Sequence, residues 1–315
     1  MATSRLPLVH VDREGERRVL AEHFIAQYAR ERSETLLPVL ERADATLVVA
    51  DSVDVGAVVA AERAGVPSVT VEVLVAGTMA VPAVVGDAWS AVRVAAGLSA
   101  DPTLARYGGD LALVPAPCSR DPACPPVGEH RFVRPAVLDR ASPRLPSRRV
   151  YITLGTIFNL ESGDLLERLI IAAGTLDAEV IMTTGPYLDL SHLPAANANV
   201  RVETFVPQHE VLPGCGVVVC HGGSGTVVGA LALGVPIVAL PMGADQADNA
   251  DRIADLGVGV VLDPLTVAPA DVAAAIHEVL AADDYRRAAE VLAVESAAQP
   301  NLADVAELTA LLERA

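Results

Sequence analysis

The chain carries the same strand, helix and strand pattern twice, and this repetition limits its possible folds more than any other feature. In the first copy, a β-branched run, an alanine-rich helical stretch and a second apolar run occupy Ala45–Asp51, Val55–Ala64 and Ser68–Val73. In the second copy, the matching segments are Gly216–Cys220, Thr226–Leu233 and Ile237–Leu240. Both helical stretches stop at Gly-Val-Pro, since Gly favours a helix end and Pro the position beyond it. Each copy predicts two parallel strands joined by a crossover helix.

Two such units predict an α/β protein with two Rossmann-like domains. Their apolar runs are continuous, as is typical of parallel strands buried on both faces. The chain has 315 residues, and at roughly 150 residues per domain it has room for two. Prolines interrupt the stretch from Arg134 to Arg149. We expect this stretch to separate an acceptor-side domain at residues 1–142 from a second domain at residues 148–315.

The charge of the chain and its lack of lysine exclude several functions. The formal net charge is −17, so the average surface field repels nucleic acids and anionic membranes, and we expect neither as a partner. All 23 basic residues are arginines. A Walker phosphate-binding loop and Schiff-base chemistry both need a lysine, so the sequence excludes them.

The sequence predicts a cytoplasmic location. Met1–Gly15 carries several charges and lacks the apolar core of a signal peptide. The longest apolar stretch, Val66–Gly86, contains Glu72 and two prolines, so we expect a strand, a turn and a strand rather than a membrane span. The four cysteines lack the spacing of a zinc site. Free thiols in a reducing cytosol are favoured over a bridge between Cys118 and Cys124.

A glycine-rich segment, His221-Gly222-Gly223-Ser224-Gly225-Thr226, lies between a predicted buried strand and a predicted helix. Glycines let backbone amides approach a phosphate closely, and the N-terminus of a helix adds roughly half a positive charge. With no lysine present, the side chains that can add to these amides are those of His221, Ser224 and Thr226. The alternative is a tight turn whose glycines only let the helix pack closely on the strand.

Two further turns rich in Gly and Thr follow predicted strands of the same domain. They are Thr153–Thr156 and Thr183–Gly185. In an open parallel sheet, ligands bind beyond the carboxyl ends of the strands, so we expect the donors of all these turns to converge on one crevice. Asp245 and Gln246 follow a later strand and reach the same edge, unless they form a solvated loop pair.

These motifs follow one another along the second half of the chain. The order is Phe205-Val206-Pro207-Gln208, Leu212, His221 to Thr226, Gly234-Val235-Pro236, Pro241 and Asp245-Gln246-x-x-Asn249. It resembles the donor-nucleotide signature of family-1 glycosyltransferases of the two-lobed GT-B fold, specifically those that decorate bacterial antibiotics. The resemblance covers about residues 148–315, whereas the first lobe matches only in outline.

The resemblance implies a role for each matching residue. Phe205 stands where the family stacks an aromatic ring on the nucleobase, and the backbone of Val206 where it hydrogen-bonds the base edge. The alternative is that Phe205 simply closes a strand end. Asp245 and Gln246 are expected to hold sugar hydroxyls. The diphosphate is expected to be held by His221, Ser224, Gly225 and Thr226, with Thr156 opposite, and Gly155 and Gly223 complete the donor-binding set.

One departure from the family pattern concerns the nucleotide. Many UDP-using relatives carry, eight residues after the histidine, a glutamate that accepts both ribose hydroxyls, and here that position is Gly229. A carboxylate is costly where no hydroxyl satisfies it, and a thymidine nucleotide lacks the 2′-hydroxyl. The resemblance therefore implies transfer of a deoxysugar from a dTDP-sugar with inversion. Amides, His221 and the helix end would stabilise the leaving diphosphate, with no metal and no separate cofactor.

The acceptor side departs further from the family. Its members open with a strand, a glycine-containing loop and a helix that bears the histidine that deprotonates the acceptor. Here residues 17–43 predict a long helical approach to the first strand, so we expect a shortened acceptor domain. His10 followed by Asp12 is the one candidate base pair in this region, but a surface histidine is the favoured interpretation, and His23 has a weaker claim. The sequence thus assigns no catalytic base.

Three functions are consistent with these observations. The first is a hexosyltransferase that moves a sugar from a dTDP donor to a hydrophobic natural product, with room for a homo-oligomer or a partner protein. The second is a donor-binding homologue without catalysis that acts as a partner or regulatory subunit. The third is a dinucleotide-binding protein, because Gly223-x-Gly225-x-x-x-Gly229 followed by Asp245 loosely imitates that fingerprint. Against the third, the fingerprint belongs on the first strand of its domain.

Overall fold

The structure, a computed structural model, describes residues 5–115, 119–140, 147–186 and 193–314, which divide into two compact units. The four-stranded unit comprises the described residues of Asp12–Arg134 and Ala298–Ala315, and the six-stranded unit those of Met1–Val11 and Pro135–Ala297. Each strand pair within the described residues is parallel. The predicted α/β class with parallel sheets is therefore confirmed.

The four-stranded unit has strand order β1-β2-β3-β4. Its elements in chain order are α1 (Arg13–Val19), a π-helical segment (Leu20–Tyr28), α2 (Ala29–Arg42), β1 (Val48–Asp51), α3 (Val55–Ala64), β2 (Ser68–Val71), α4 (Pro82–Ala95), β3 (Leu111–Pro115) and β4 (His130–Val133). The predicted crossover from β1 through α3 to β2 is present. Gly65 ends α3 at φ 68°, a left-handed conformation that glycine adopts at little cost.

The expectation of two strands within Val66–Gly86 is wrong in its second half. The chain leaves β2 at Val71 and enters α4 at Pro82. Proline fits the first position of a helix because its missing N–H would be unpaired there. Val85, Trp89 and Val92 then recur at helical spacing and are buried against the core. Within the described ranges, no helix combines the length and the apolar character needed to cross a membrane.

Internal polar contacts close the sheet edge at which the strands of the four-stranded unit end. Glu72 follows β2, and its Oε1 accepts from Oγ of Ser52 at 2.7 Å and from the amide of Leu74 at 3.0 Å. Its Oε2 lies 3.5 Å from Nη1 of Arg120, and the two side chains are only 14 % and 6 % exposed. The first turn of α3 is capped by Asp54, whose carboxylate accepts from the amide of Ala57 at 3.3 Å.

The six-stranded unit has strand order β10-β9-β8-β5-β6-β7. Its elements in chain order are α5 (Val137–Arg140), β5 (Val150–Thr153), a 3-10 turn (Phe158–Glu161), α6 (Leu165–Gly174), β6 (Val180–Thr183), β7 (Val200–Glu203), α7 (Gln208–Val211), β8 (Val217–Cys220), α8 (Ser224–Ala232), β9 (Ile237–Ala239), α9 (Gln246–Asp255), β10 (Gly259–Val261), α10 (Pro269–Ala281) and α11 (Asp283–Ala297). Strands β5, β6 and β8 are buried along their whole length, as their continuous apolar sequences predict.

The order of strands reverses between β5 and β8. From β5 the chain adds β6 and β7 on one side, and it then returns to add β8, β9 and β10 on the other side. In doubly wound sheets, the crevice at the carboxyl ends of such a strand pair is where ligands bind. The predicted glycine-rich turns follow these two strands.

The two chain ends each pack with the unit formed by the opposite half of the sequence, unlike the boundaries 1–142 and 148–315 expected above. The amide of Leu6 donates to the carbonyl of Leu160 at 2.7 Å, and Leu8 packs on the core of the six-stranded unit. A 3-10 turn (Leu302–Asp304) and α12 (Ala306–Arg314) lie in the four-stranded unit. There Val305, Leu308 and Leu311 cover one face of the sheet. Apolar contact rather than chain order therefore decides the unit boundaries.

Parts of two sequence predictions lie outside the described residues. Cys118, one half of the cysteine pair considered above, is one of them, and so are Pro143 and Pro146 of the expected domain divide. The structure divides the chain between Arg134 and Pro135.

Candidate functional site

Turns after three neighbouring strands of the six-stranded unit contact one another. Gly155, Gly185 and Gly222 follow β5, β6 and β8 with φ of 74°, 80° and 82°. A Cβ added to Gly155 would lie 2.6 Å from Cε1 of His221, and one added to Gly185 would lie 2.5 Å from Nδ2 of Asn159. Nδ2 of Asn159 in turn donates to the carbonyl of Gly155. Glycine is therefore required here both by conformation and by space.

His221 is packed between Gly155 and Gly223. Its ring lies against Gly155 on one side and so close to Gly223 on the other that a Cβ there would overlap Nε2, and the ring of Phe158 lies 6.3 Å away. Burial lowers the pKa of His221 to about 4, opposed in part by the nearby backbone of Thr153. Nδ1 is buried without a well-formed hydrogen bond to any described residue. At neutral pH the imidazole is uncharged, so it can donate one hydrogen bond but adds no positive charge.

The start of α8 has no side-chain cap. Gly223 occupies the N-cap position, and the first turn contains no acidic residue. A Cβ added to Gly225 would meet no atom within 4 Å, so open space lies beside the first turn. The amide groups and the helix dipole therefore favour an anion at this position.

The hydroxyl of Thr226 is held by a neighbouring side chain. Thr226 is buried, and its Oγ1 accepts from Nε2 of Gln208 at 2.9 Å. A Cβ added to Gly229 would lie 3.3 Å from Oε1 of Gln208 and 3.2 Å from Cδ1 of Leu212. Gln208 and Leu212 thus lie against the position where many relatives have a glutamate. The link from α7 to α8 also fixes the segment that follows Phe205.

Asp245 joins the glycine-rich loop to α9. Its Oδ2 accepts from Oγ of Ser224 and, at 2.8 Å, from Nδ2 of Asn249. Burial raises the pKa of the Asp245 carboxyl, while the hydrogen bonds from Ser224 and Asn249 oppose that rise. Gln246 is directed inward instead, because its Oε1 accepts from the amide of Met242 at 2.8 Å and the side chain is buried.

The remaining predicted residues lie on the surface. Phe205 follows β7 and is 67 % exposed, so its ring is accessible for stacking, and Val206 beside it is half-buried. Thr156 is exposed next to Gly155. The structure thus brings Gly155 and Gly223 against His221, and Ser224 against Asp245. The carboxamide of Gln246 instead forms a hydrogen bond inside the protein.

The candidate bases near the start of the chain have other surroundings. His10 and His23 are exposed. Asp12 is the N-cap of α1, and its Oδ1 accepts from the amide of Gly15 at 2.9 Å. The described residues of this region therefore supply no buried histidine and carboxylate pair.

Three asparagine and glutamine side chains support the site in ways that the sequence did not indicate. Asn159 ties the turn after β5, Gln208 holds Thr226, and Asn249 is fully buried beside the glycine-rich loop. Gln208 and Asn249 belong to the ordered motifs described above, but motif membership does not reveal which atoms a carboxamide contacts. Asn159, four residues after Gly155, has no sequence signal.

A match to a known family covers most of the six-stranded unit and α12. Residues 167–312 match the family described as "Erythromycin biosynthesis protein CIII-like, C-terminal domain". The resemblance inferred from the ordered motifs is thereby confirmed. The matched residues include the loop around His221, the start of α8 and Asp245.

Curated relatives match about half of the chain. The 4'-demethylrebeccamycin synthase of Lentzea aerocolonigenes is 37 % identical over 183 residues, which are 56 % of this chain and 42 % of the relative. The 3-alpha-mycarosylerythronolide B desosaminyl transferase of Saccharopolyspora erythraea is 35 % identical over 160 residues, 50 % of this chain and 38 % of the relative. The chain thus spans less than half the length of these relatives.

A solved structure is similar in fold to most of the chain. Spinosyn rhamnosyltransferase SpnG complexed with thymidine diphosphate has a TM-score of 0.74 and 24 % sequence identity, and the match covers 94 % of this chain and 82 % of SpnG. At this identity the likeness concerns the fold alone. The chain has the GT-B fold of glycosyltransferases, as the sequence predicted.

Proposed function

We propose that the protein transfers a deoxysugar from a dTDP-sugar to a hydrophobic natural-product acceptor, and that the crevice at β5 and β8 binds the donor. The observation that carries the proposal is the start of α8, which has no side-chain cap and lies beside a half-buried, neutral His221. The relatives support it, since one is named as a desosaminyl transferase and SpnG is described as complexed with thymidine diphosphate.

The diphosphate would bind where the first turn of α8 faces open space beside Gly225. Backbone amides and the helix dipole favour an anion there. His221 would donate a hydrogen bond without adding charge, because its pKa of about 4 keeps it neutral at pH 7. The backbone of Gly155 and Gly223 lies close to the two sides of the ring and restricts its rotation. The arrangement requires no metal, so a chelator should not affect donor binding.

The nucleoside preference follows from the surroundings of Gly229. No carboxylate occupies this position, and Oε1 of Gln208 lies 3.3 Å from the place of a Cβ. Oε1 is a single, neutral oxygen, so it binds two ribose hydroxyls less well than the two charged oxygens of a glutamate do. A uridine nucleotide would therefore bury a 2′-hydroxyl without a matching acceptor, and the unpaired group costs free energy. Thymidine nucleotides avoid this cost.

The reaction would be a single displacement. The oxygen of an acceptor hydroxyl forms a bond to the anomeric carbon while the bond from that carbon to the diphosphate oxygen breaks, so the configuration inverts. The hydroxyl proton passes to a base, and dTDP leaves with the bonding electron pair. Amides at α8 and His221 stabilise the charge that develops on the diphosphate, and loss of one such donor typically costs about 10²–10³ in rate.

Calorimetry with dTDP and UDP tests the donor site. We expect dTDP to bind with about fivefold or greater preference over UDP, equivalent to one unmatched hydroxyl. Equal affinities for dTDP and UDP would show that the surroundings of Gly229 do not select a thymidine nucleotide. Binding of NAD without binding of dTDP would instead support a dinucleotide-binding protein.

A substitution at Gly225 tests the location of the diphosphate. Gly225→Val puts a side chain into the open space beside α8, and valine is no worse than glycine in a helix. We expect the variant to fold and to lose about 100-fold in dTDP affinity, since it blocks the amide donors. Ala274→Leu, an exposed position on α10, is the control. Unchanged affinity in Gly225→Val would place the nucleotide elsewhere.

Turnover decides between the enzyme and a regulatory homologue. The protein is incubated with an extract containing natural-product acceptors and with either dTDP-rhamnose, a deoxysugar donor, or dTDP-glucose, and released dTDP is measured. Release above that of the Gly225→Val variant supports the transferase. Tight dTDP binding with no release would favour the donor-binding homologue that acts as a partner subunit.

A further inference from the structure

The carboxylate of Asp245 is used asymmetrically. Oδ2 accepts from both Oγ of Ser224 and Nδ2 of Asn249, the latter at 2.8 Å. Oδ1 receives no hydrogen bond from any other residue that the structure describes. One oxygen is therefore saturated by the protein, and the other can still accept a hydrogen bond.

Asn249 fixes the side of the carboxylate that faces the protein. It is fully buried, and besides Asp245 its Nδ2 lies 2.9 Å from the carbonyl of Gly222 and 3.2 Å from Oγ of Ser224. One amide group thus ties the loop before α8 to the carboxylate at the start of α9. Rotation of the Asp245 side chain would break contacts with both Ser224 and Asn249.

Ser224 has only one hydroxyl hydrogen. In the structure that hydrogen is donated to Asp245. The hydroxyl cannot at the same time donate to a phosphate, and its lone pairs would repel one. This differs from the role in diphosphate binding that the sequence suggested for the Ser224 side chain.

We infer that Ser224 and Asn249 are positioning residues, which hold Asp245 so that its Oδ1 accepts a hydroxyl of the donor's sugar. The inference rests on the proposed function and deepens it, because it separates the sugar-binding contacts from the diphosphate-binding contacts within one loop. The diphosphate would then be bound by the backbone of this loop and by His221, and the Ser224 hydroxyl would act only through Asp245.

Calorimetry with two probes separates these roles. For Ser224→Ala we expect dTDP affinity within about twofold of wild type, because the backbone amides remain, and a loss of about tenfold in dTDP-glucose affinity, the size of one hydrogen bond to a charged group. Ser224→Thr keeps the hydroxyl and should restore dTDP-glucose binding. A fall of equal size for both probes in Ser224→Ala would overturn the inference, as would no change for either.

A double-mutant cycle provides the second test. Asp245→Asn should also weaken dTDP-glucose more than dTDP, and adding Ser224→Ala should cost nothing further, since Ser224 acts through Asp245. Additive losses would show that Ser224 touches the donor itself. Thermal melting confirms that each variant is folded. If Ser224→Ala is not, Ser224→Cys replaces it, since a thiol has nearly the size of the hydroxyl but is a weak hydrogen-bond donor. Failure of the wild type to bind dTDP would refute the proposed function, a result distinct from all of these.

Discussion

The two strand, helix and strand units of the chain differ most at the start of the helix. In the four-stranded unit, Asp54 caps α3, and Oδ1 of Asp51 accepts from the amides of Val53 and Asp54 at 2.9 Å each. In the six-stranded unit, the N-cap of α8 is Gly223, which has no side chain to offer. Aspartate carboxylates therefore bind the amides at the start of α3, whereas the amides at the start of α8 are left as donors for a ligand.

The edges of the two sheets, next to the starts of these helices, differ in the same way: polar groups are paired within the protein at one edge and are left unpaired at the other. Glu72 and Arg120 form a buried ion pair at one edge. At the other edge, Gly155 and Gly223 lie against a neutral histidine, and the start of α8 has no side-chain cap. The first arrangement satisfies its polar groups internally and contributes to stability. The second leaves amide groups at the start of α8 that a bound molecule can use as hydrogen-bond donors.

The largest expected effect concerns the ion pair. Arg120→Met removes the cation beside the half-buried carboxylate of Glu72, which keeps its hydrogen bonds from Ser52 and Leu74. We expect a loss of about 3 kcal/mol of unfolding free energy, the lower end of the range for a buried pair that loses one partner. Trp89, the single tryptophan, lies in this unit, so fluorescence during urea unfolding reports the change directly. Arg63→Met, at an exposed position of α3, is the control. A loss below about 1 kcal/mol would mean that this edge is not held by the pair.

The second prediction concerns pH and the six-stranded unit. In the folded state the pKa of His221 is about 4, whereas in the unfolded chain it is 6.5. Below pH 6.5 His221 is protonated in the unfolded chain but not in the folded unit. The free energy of unfolding therefore falls as pH decreases towards 4. We expect about 2–3 kcal/mol to be lost between pH 7 and pH 4.5 through this group.

Urea unfolding followed by circular dichroism measures this loss. His221→Gln should lose less stability than wild type over the same pH interval, because its side chain does not titrate. His277→Gln replaces an exposed histidine on α10 and should behave as wild type. An identical pH dependence in His221→Gln would contradict the assigned burial of the imidazole.

The smallest expected effect concerns the cap of α3. Asp54→Ala removes a carboxylate that accepts from the amide of Ala57 and also pairs with Arg32 at 3.1 Å. Loss of such a cap costs about 1 kcal/mol, visible in Trp89 fluorescence, and dTDP affinity should not change. Asp87→Ala on α4 removes an exposed carboxylate that caps no helix. A drop in dTDP affinity for Asp54→Ala alone would refute the contrast between the two helix starts.

Much of the fold could be predicted because local sequence and tertiary contacts agree. The helix at Val55–Ala64 has the predicted bounds, since Asp54 caps its start and Gly65 its end. The second strand expected within Val66–Gly86 is absent, because hydrophobicity alone does not separate a strand from a buried helix that begins at Pro82. The π-helical segment at Leu20–Tyr28 has no sequence signature that would have indicated it.

The candidate site was predictable in position but only partly in detail. Glycines and strand ends locate the crevice, since backbone conformation and sheet topology depend on local sequence. The partners of Ser224, Gln208 and Gln246 depend instead on rotamers set by packing. The roles assigned to individual donor-binding residues remain predictions for the binding experiments above.

The exchange of chain ends affects how this protein can be dissected. A fragment cut between residues 142 and 148 would separate the four-stranded sheet from Val305, Leu308 and Leu311, which shield it from solvent. The same cut would deprive the six-stranded unit of Leu8. Recombinant halves should therefore be designed as fusions in which a short linker joins residues 12–134 to residues 298–315, and not as simple truncations.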